Sequence, residues 1–156
     1  MSIQIGQQAP SISLYNSEKE KVNLQDYLGK NIVLLFFPQS FTGVCTEEMC
    51  GIRDNYSVYE NLNANVFGIS VDSVNTLAEF KKQNNINFNL LSDFNKEVSR
   101  AYDCIYEDWV LDMKGVAKRS AFVVDVNGVI QYCEVLENPG NQPNFEAIKN
   151  KLNELV

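Results

Sequence analysis

Six apolar residues in a row, at positions 32–37 (IVLLFF), are followed directly by a proline. A short run that is rich in branched and aromatic residues and closed by a breaker is typical of a central β-strand covered on both faces. Both faces of such a strand must be buried by other elements. The run therefore predicts a sheet that lies inside the molecule, with further layers on either side.

The remaining β pattern predicts a sheet of several strands. Residues 125–128 (DVNG) carry a turn signal, so the two strands beside them are expected to form a hairpin. A short edge strand is also expected near the N-terminus. The predicted strands are residues 11–15, 32–37, 65–71, 121–124 and 129–135.

Helical spacing of apolar residues predicts the elements between these strands. Between 42 and 62, the residues on one predicted helix face recur at spacings of four, three, four and three: Cys45, Met49, Ile52, Tyr56 and Tyr59. Further helices are expected at residues 74–84 and 95–102 and after Pro143-Asn144. Strands that alternate with helices and end in a hairpin predict an α/β fold, with a central mixed sheet flanked by helices on both faces.

The composition excludes several classes of partner and location. A net charge of −7 and a pI near 4.6 oppose binding to nucleic acid or to an anionic membrane. No apolar run approaches the roughly 20 residues that a membrane helix needs. The first eight residues are polar and do not resemble a secretion signal. A cytoplasmic location, with no nucleic acid and no membrane as partner, is the expectation.

The chain has four cysteines, at 45, 50, 104 and 133, and no histidine. In a reducing cytoplasm, structural disulfides are disfavoured. The cysteine spacing contains no C-x₂₋₄-C pair, which argues against a zinc site, and no metal is expected. Without histidine, neither a His-assisted nucleophile nor a His general base is available. Any reactive cysteine must therefore be activated in another way.

Cys45 occupies the most favourable position for such activation. It is predicted in the first turn of a helix that follows the central strand, at the edge where open α/β sheets place their chemistry. Unpaired backbone N–H groups and the helix dipole favour a thiolate there. Glu47 and Glu48 lie within a turn and oppose it. A cation is required, and Arg53 is two helical turns away. The simpler alternative is that Cys45 is a buried small apolar residue.

Two motifs of the chain resemble known family signatures. Pro38-x-x-x-Thr42-x-x-Cys45 matches P-x-x-x-[TS]-x-x-C, a pattern of the peroxiredoxin family, at each fixed position. Lys118-Arg119, followed by a strand and an Asn-Gly turn, is similar to the second family signature. The segment FTGVC and the Asn-Pro-Gly near the end resemble the alkyl hydroperoxide reductase E group. The Cys-x₄-Cys spacing resembles the bacterioferritin-comigratory (Q-type) group.

The resemblance implies a thioredoxin-like fold, one domain over residues 1–156, and a thiol peroxidase without a cofactor. Cys45 would attack the distal peroxide oxygen and become sulfenic acid. Arg119 would be the missing cation, and Glu48 would hold it in place. Peroxide would be oriented by the Thr42 hydroxyl and the backbone N–H groups of Val44 and Cys45. Pro38 would shield the thiolate. The plainer alternatives are a solvated surface arginine at position 119 and an N-cap at position 42.

The resemblance implies that the sulfenic acid is returned to thiol, and Cys50 is the preferred resolving residue. Residues five apart on a helix have Cα atoms roughly 8–9 Å apart, whereas a disulfide needs less than about 7 Å. A Cys45–Cys50 disulfide therefore requires the helix to unwind locally. The alternative is a one-cysteine enzyme that is resolved by an external thiol. Cys104 is a weaker candidate, and Cys133 is expected to serve packing.

Hydroperoxides, both hydrogen peroxide and organic ones, are the implied substrates. The implied reductant is a thioredoxin- or glutaredoxin-like protein or a low-molecular-weight thiol. A thioredoxin-type oxidoreductase is disfavoured because it would have C-x-x-C and a proline before the later strand. A redox sensor with the same fold is a non-enzymatic alternative. One aromatic and apolar segment predicts core packing with one covered loop, whereas the resemblance implies a homodimer surface near the active site there: Tyr102, Tyr106, Trp109, Val110, Leu111 and Met113.

Overall fold

A computed structural model describes residues 3–156 of the chain, and its central strand contains five of the six residues of the apolar run. All six residues of this strand, β3 (Asn31–Phe36), are buried. The other strands are β1 (Ser13–Asn16), β2 (Lys21–Asn23), β4 (Ala64–Ser70), β5 (Asn89–Ser92), β6 (Ile105–Tyr106), β7 (Val116–Ala117), β8 (Ser120–Val124) and β9 (Ile130–Val135). The helices are α1 (Gly43–Asp54), α2 (Tyr56–Asn61), α3 (Val74–Asn84), α4 (Glu97–Ala101) and α5 (Phe145–Leu155).

Seven strands form one mixed sheet in the order β2-β1-β5-β4-β3-β8-β9. Strands β3, β4 and β5 are parallel, so their carboxyl ends share one edge. Strand β8 pairs antiparallel with β3 and with β9, which confirms the predicted hairpin. In its turn, the Asp125 carboxylate accepts hydrogen bonds from the backbone of Asn127 and Val129. Strands β6 and β7 form a separate two-stranded sheet.

The sheet separates two hydrophobic cores, because successive residues of a strand point to opposite faces. Val33 and Leu35 face the α1 core, which also contains Cys45, Met49 and, from α5, Ile148. The alternate β3 residues face the second core, named here the Tyr102 core, which holds Ile32, Leu34, Phe36, Tyr102, Cys104 and Phe122. The predicted α/β architecture with a covered mixed sheet is therefore confirmed.

Two predictions from the sequence differ from the structure, and the short strands β2, β5, β6 and β7 were not predicted. The N-terminal strand β1 is not an edge strand, since β2 pairs along its outer side and β5 along its inner side. The helix expected over 42–62 divides at Asn55, whose φ of −112° and ψ of 16° end α1. Its side-chain amide also donates to the Gly51 carbonyl oxygen. Strand β5 was not predicted, because four residues are too few to show a clear period.

No helix among residues 3–156 combines the length and apolar character needed to cross a membrane.

Candidate active site

Hydrogen bonds made by the neighbours of a strained residue, Phe41, fix the loop between β3 and α1. Phe41 has a φ of +67°, a conformation uncommon for a residue other than glycine. Before it, the Ser40 backbone N–H donates to Asp72 Oδ2 at 2.8 Å. After it, the Thr42 hydroxyl donates to the Gln39 carbonyl oxygen at 2.8 Å. The loop therefore presents the start of α1 in one defined orientation.

Thr42 lies immediately before α1 but its side chain does not cap the helix. Its backbone carbonyl oxygen accepts from the Thr46 N–H at 2.9 Å, as the first residue of a helix requires. The hydroxyl hydrogen is directed to the preceding loop, so the lone pairs of its oxygen remain available as acceptors. Thr42 thus combines a structural hydrogen bond with a free acceptor beside Cys45.

Cys45 lies in the first turn of α1, with only 1% of its surface exposed. The Nη2 group of Arg119 donates to its sulfur at 3.0 Å, across 74 residues of sequence. The N–H groups of this first turn have no intrahelical partner and add positive potential. Arg119 is therefore the cation that lies beside Cys45.

Arg119 is itself almost fully buried, at 2% exposure. It directly precedes β8 and has the same parity as Ala121 and Val123, which directs it to the α1 face of the sheet. Its Nη1 donates to Glu48 Oε1 at 2.7 Å and its Nε donates to the Pro139 carbonyl oxygen at 3.0 Å. Three fixed acceptors therefore hold one guanidinium group.

The charges around Arg119 alter the ionisation of its neighbours. Burial acts to lower the pKa of Arg119, but Glu48 and Cys45 together raise it above its ordinary value. Burial raises the pKa of the fully buried Glu48 to about 7, against the opposing effect of Arg119. The second carboxyl oxygen of Glu48, Oε2, has no hydrogen-bond partner among residues 3–156. Two acidic groups thus share one buried cation.

A cleft of about 330 Å³ opens above this group. Thr42, Cys45 and Arg119 form part of its lining. Its other walls include Pro38, Trp109, Val110 and Pro139, so apolar surface surrounds the sulfur. Such a cleft can admit a small molecule while limiting the access of water to the Cys45 sulfur.

Comparison with known proteins shows the family of the chain. The model of the AhpC/TSA family matches residues 5–133. The chain belongs to the AhpC/TSA family. It is 37% identical over 130 residues to peroxiredoxin Bcp of Bacillus subtilis, covering 82% of each chain. It is 36% identical over 141 residues to alkyl hydroperoxide reductase E of Mycobacterium bovis, covering 88% of each.

Solved structures show the same fold. The peroxidoxin BcpB of Mycobacterium tuberculosis has a TM-score of 0.87 with 23% identity, covering 99% of both chains. The reduced 2-Cys peroxiredoxin of Plasmodium vivax has a TM-score of 0.85 with 27% identity, covering 96% of this chain and 80% of that one. The fold is thioredoxin-like, and membership of this family makes the chain a thiol peroxidase.

The other three cysteines of this peroxiredoxin have different surroundings. Cys50 is half-buried on α1, and its sulfur donates to Asn84 Oδ1 at 3.7 Å. Cys104 lies in the Tyr102 core, where burial raises its pKa to about 12. Cys133 packs against that same core, and burial raises its pKa as well. The sheet therefore separates Cys104 and Cys133 from Cys45.

Several groups at the site were not recognised from the sequence. The Pro139 carbonyl oxygen holds Arg119, although only the family likeness of the Asn-Pro-Gly segment had been noted. Asp72 holds the Ser40 amide and carries no local signal for that contact, since it follows β4, 32 residues later. Trp109 and Val110 also line the cleft.

The aromatic segment divides between core and surface. Tyr102 is buried in the Tyr102 core, and its hydroxyl donates to the Pro10 carbonyl oxygen at 2.6 Å. Tyr106 and Trp109 stack on each other with centroids 4.8 Å apart. Val110 and Leu111 are 60% and 89% exposed. The core-packing interpretation therefore applies to Tyr102, while the covered-loop or dimer interpretation concerns only the residues after it.

Proposed function

We propose that this thiol peroxidase acts through Cys45, whose thiolate attacks the distal oxygen of a hydroperoxide. The sulfur–oxygen bond forms as the oxygen–oxygen bond breaks, so the sulfur is oxidised to sulfenic acid and the peroxide is reduced to water or an alcohol. The observation that carries the proposal is the 3.0 Å hydrogen bond from Arg119 to the buried sulfur. A buried thiolate requires such a charge partner.

The neighbouring groups support distinct parts of this reaction. Arg119 donates hydrogen bonds to the peroxide oxygens as negative charge develops on the leaving one. The Thr42 oxygen accepts a hydrogen bond from the peroxide and orients it. The backbone N–H groups of Val44 and Cys45 add donors at the helix start. Pro38 covers the sulfur, and Glu48 holds Arg119 in position.

Hydrogen peroxide and organic hydroperoxides are the proposed substrates. The polar groups of the cleft recognise the –OOH group, which both kinds of molecule share. The walls formed by Trp109, Val110 and Pro139 offer an apolar surface to the organic portion of a larger hydroperoxide. Comparing kcat/KM for hydrogen peroxide with that for an aromatic hydroperoxide tests this range; no measurable rate with the aromatic one would restrict it.

Resolution is proposed to occur through a Cys45–Cys50 disulfide. Both residues lie on the intact helix α1, so the first turns of α1 must unwind before the sulfurs can meet. Oxidation removes the negative charge of the thiolate. The attraction between the Cys45 sulfur and Arg119 then weakens, which favours this unwinding. Cys104 and Cys133 lie behind the sheet and are poor alternatives. An external thiol that attacks the sulfenic acid through the cleft is the remaining alternative.

Intact-mass measurement after one equivalent of peroxide tests the resolution step. The expected result is a loss of two hydrogens from the reduced mass, which persists in Cys104→Ser and disappears in Cys50→Ser. A gain of one oxygen in the unmutated protein, stable for many turnover times, would instead support the external thiol. Cys45→Ser must abolish both mass changes if Cys45 is the reacting residue.

Catalytic turnover separates the peroxidase from a redox sensor. With an excess of thioredoxin, glutaredoxin or a small dithiol, substoichiometric protein should consume many equivalents of peroxide. Comparing the three reductants identifies the preferred class. If consumption stops after one equivalent with each of them, the sensor function gains support over the proposed reduction cycle.

The protein is further proposed to act as a single cytoplasmic domain and to form a homodimer. Leu111 and Asp112 both have left-handed backbone conformations, and this sharp turn projects Leu111 outward. Phe41, one residue before Thr42 of the cleft lining, is 49% exposed. Exposed apolar side chains next in sequence to cleft residues fit an interface between copies. A monomeric sedimentation coefficient at micromolar concentration would contradict the dimer.

A further inference from the structure

Two acidic groups, Cys45 and Glu48, face a single cation, Arg119. A role of Glu48 in positioning Arg119 does not explain how these charges are balanced. The exposed fractions of Cys45, Arg119 and Glu48 are 1%, 2% and 0%. A thiolate, a carboxylate and one guanidinium together carry a net charge of −1 in a nearly dry site. An uncompensated buried charge is costly. One of the two acidic groups is therefore expected to keep a proton.

Hydrogen bonding indicates that the carboxyl group can hold this proton. Glu48 uses only Oε1 for its bond to Arg119, and Oε2 has no partner among residues 3–156. A carboxylate that is fully buried ordinarily accepts hydrogen bonds on both oxygens. An ionised Oε2 would leave charge on an atom without a partner, whereas a proton on Oε2 makes the group neutral and leaves the bond from Arg119 to Oε1 intact.

We propose that Glu48 is the proton reservoir of the peroxidatic step: it is protonated while Cys45 is a thiolate and becomes ionised when Cys45 becomes sulfenic acid. This proposal rests on the proposed role of Cys45. It assigns Glu48 a second role in addition to holding Arg119. The raised pKa of Glu48, about 7 because of burial, agrees with it.

The step balances in atoms and charge. The thiolate sulfur forms a bond to the terminal –OH of the hydroperoxide, the O–O bond breaks, and an alkoxide or hydroxide leaves. The Glu48 proton completes the alcohol or water. The triad is neutral before the step, as thiolate, guanidinium and carboxylic acid, and neutral after it, as sulfenic acid, guanidinium and carboxylate. The net number of protons exchanged with solution does not depend on the route by which the proton moves from Glu48 to the leaving oxygen.

Coupling through Arg119 explains why Glu48 releases its proton at this moment. Two acidic groups that interact with one cation titrate as a unit. While the thiolate is present, it receives part of the attraction of Arg119. When the sulfur becomes neutral, the whole attraction acts on Glu48 and favours its carboxylate. Oxidation of the sulfur is therefore linked to ionisation of the carboxyl group.

The other titratable groups around the triad do not replace this function. Tyr59, from α2, has its pKa raised to about 12 by burial and by Glu146 and Glu48. Tyr106 has its pKa raised by burial and by a nearby carboxylate, with Arg119 opposing. Both phenols are neutral at neutral pH. Glu47, one residue before Glu48, is directed outward and accepts from Gln142 at 3.3 Å.

Proton counting tests the proposal. Reduced protein in weak buffer at pH 6 receives one equivalent of hydrogen peroxide, and a pH indicator reports the number of protons taken up from solution. Mass spectrometry gives the amount of oxidised Cys45. The result is expressed as protons taken up per oxidised Cys45. The expected uptake is zero for the unmutated protein and about one proton per oxidised Cys45 for Glu48→Gln, which must take its proton from solution. Formation of a disulfide from sulfenic acid and thiol releases only water and does not alter the count.

Two further measurements keep the proposal falsifiable. Glu47→Gln is the matched control, the same substitution at an exposed neighbour, and should show no uptake. In the unmutated protein, an infrared difference spectrum should show loss of a protonated carboxyl C=O stretch on oxidation, even if Glu48→Gln does not fold. Uptake of one proton by the unmutated protein, no uptake by Glu48→Gln, or no loss of the carboxyl band would each overturn it. Oxidation that bypasses Cys45 would contradict the proposed function instead.

Discussion

Cys45 and Cys104 are both buried, yet the two faces of the sheet give their sulfurs opposite surroundings. Cys45 lies 3.0 Å from a guanidinium nitrogen at a helix start. Cys104 lies in the Tyr102 core, where burial raises its pKa to about 12, and only the Ser120 hydroxyl and Lys118 act in the opposite direction. Burial alone therefore keeps a thiol protonated. At Cys45 the same degree of burial is combined with a fixed cation that donates to the sulfur.

Removing that cation should make Cys45 resemble Cys104. Arg119→Gln keeps a hydrogen-bonding side chain but deletes the positive charge, and we expect the rate constant of Cys45 oxidation to fall about 10²- to 10³-fold. Stopped-flow measurement of peroxide reduction gives this constant. Lys118→Gln is the matched control, since Lys118 pairs instead with Glu137, and it should change the rate by less than about twofold. A similar loss in both variants would show that the charge acts only at long range.

Folding stability should depend on pH through the α1 face more than through the Tyr102 core. The pKa of Glu48 is about 7 in the folded chain against 4.5 as its ordinary value. Glu48 therefore binds its proton more tightly in the folded state than in the unfolded state. The stabilisation that this gives the folded state is complete below about pH 4.5 and is lost as pH rises through about 7. We expect the unfolding free energy to fall by up to about 3 kcal/mol across that range.

Urea unfolding of the reduced protein at pH 5 and pH 8 measures this change. Glu48→Gln should show a smaller decrease than the unmutated protein, because its side chain does not titrate, whereas Glu47→Gln should retain the full decrease. An equal decrease of the unfolding free energy between pH 5 and pH 8 in all three proteins would assign the pH dependence to other groups.

The smallest effect is expected at Cys104. Cys104→Ala removes a buried sulfur and should lower the unfolding free energy by about 1 kcal/mol, measured by urea unfolding. The rate constant of Cys45 oxidation should remain within about twofold of the unmutated value, since the sheet separates the two residues. A larger loss of peroxidase activity would show that the Tyr102 core takes part in the reaction or in positioning Arg119.

The sequence was sufficient to predict the central strand, the hairpin and helix α3 because each has a clear local period or turn signal. It also pointed to Cys45 and Arg119, although their association depended on a motif resemblance. It did not reveal β2, whose three residues Lys21–Asn23 are too few to show alternation. Nor did it reveal that Asn55 ends α1, since the apolar spacing continues through Tyr56 and Tyr59.

The residues of the chain by themselves determined that a reactive cysteine would have to work without histidine, at a helix start that needed a cation. Only the tertiary structure decided which cation reaches the sulfur. It also decided that Glu48 is fully buried and accepts a hydrogen bond from the same guanidinium group. It also placed Cys104 behind the sheet and the Pro139 carbonyl oxygen against Arg119. The physical reason is that periodicity is a local property of the chain. Burial and charge pairing, in contrast, depend on which distant segments the sheet brings together.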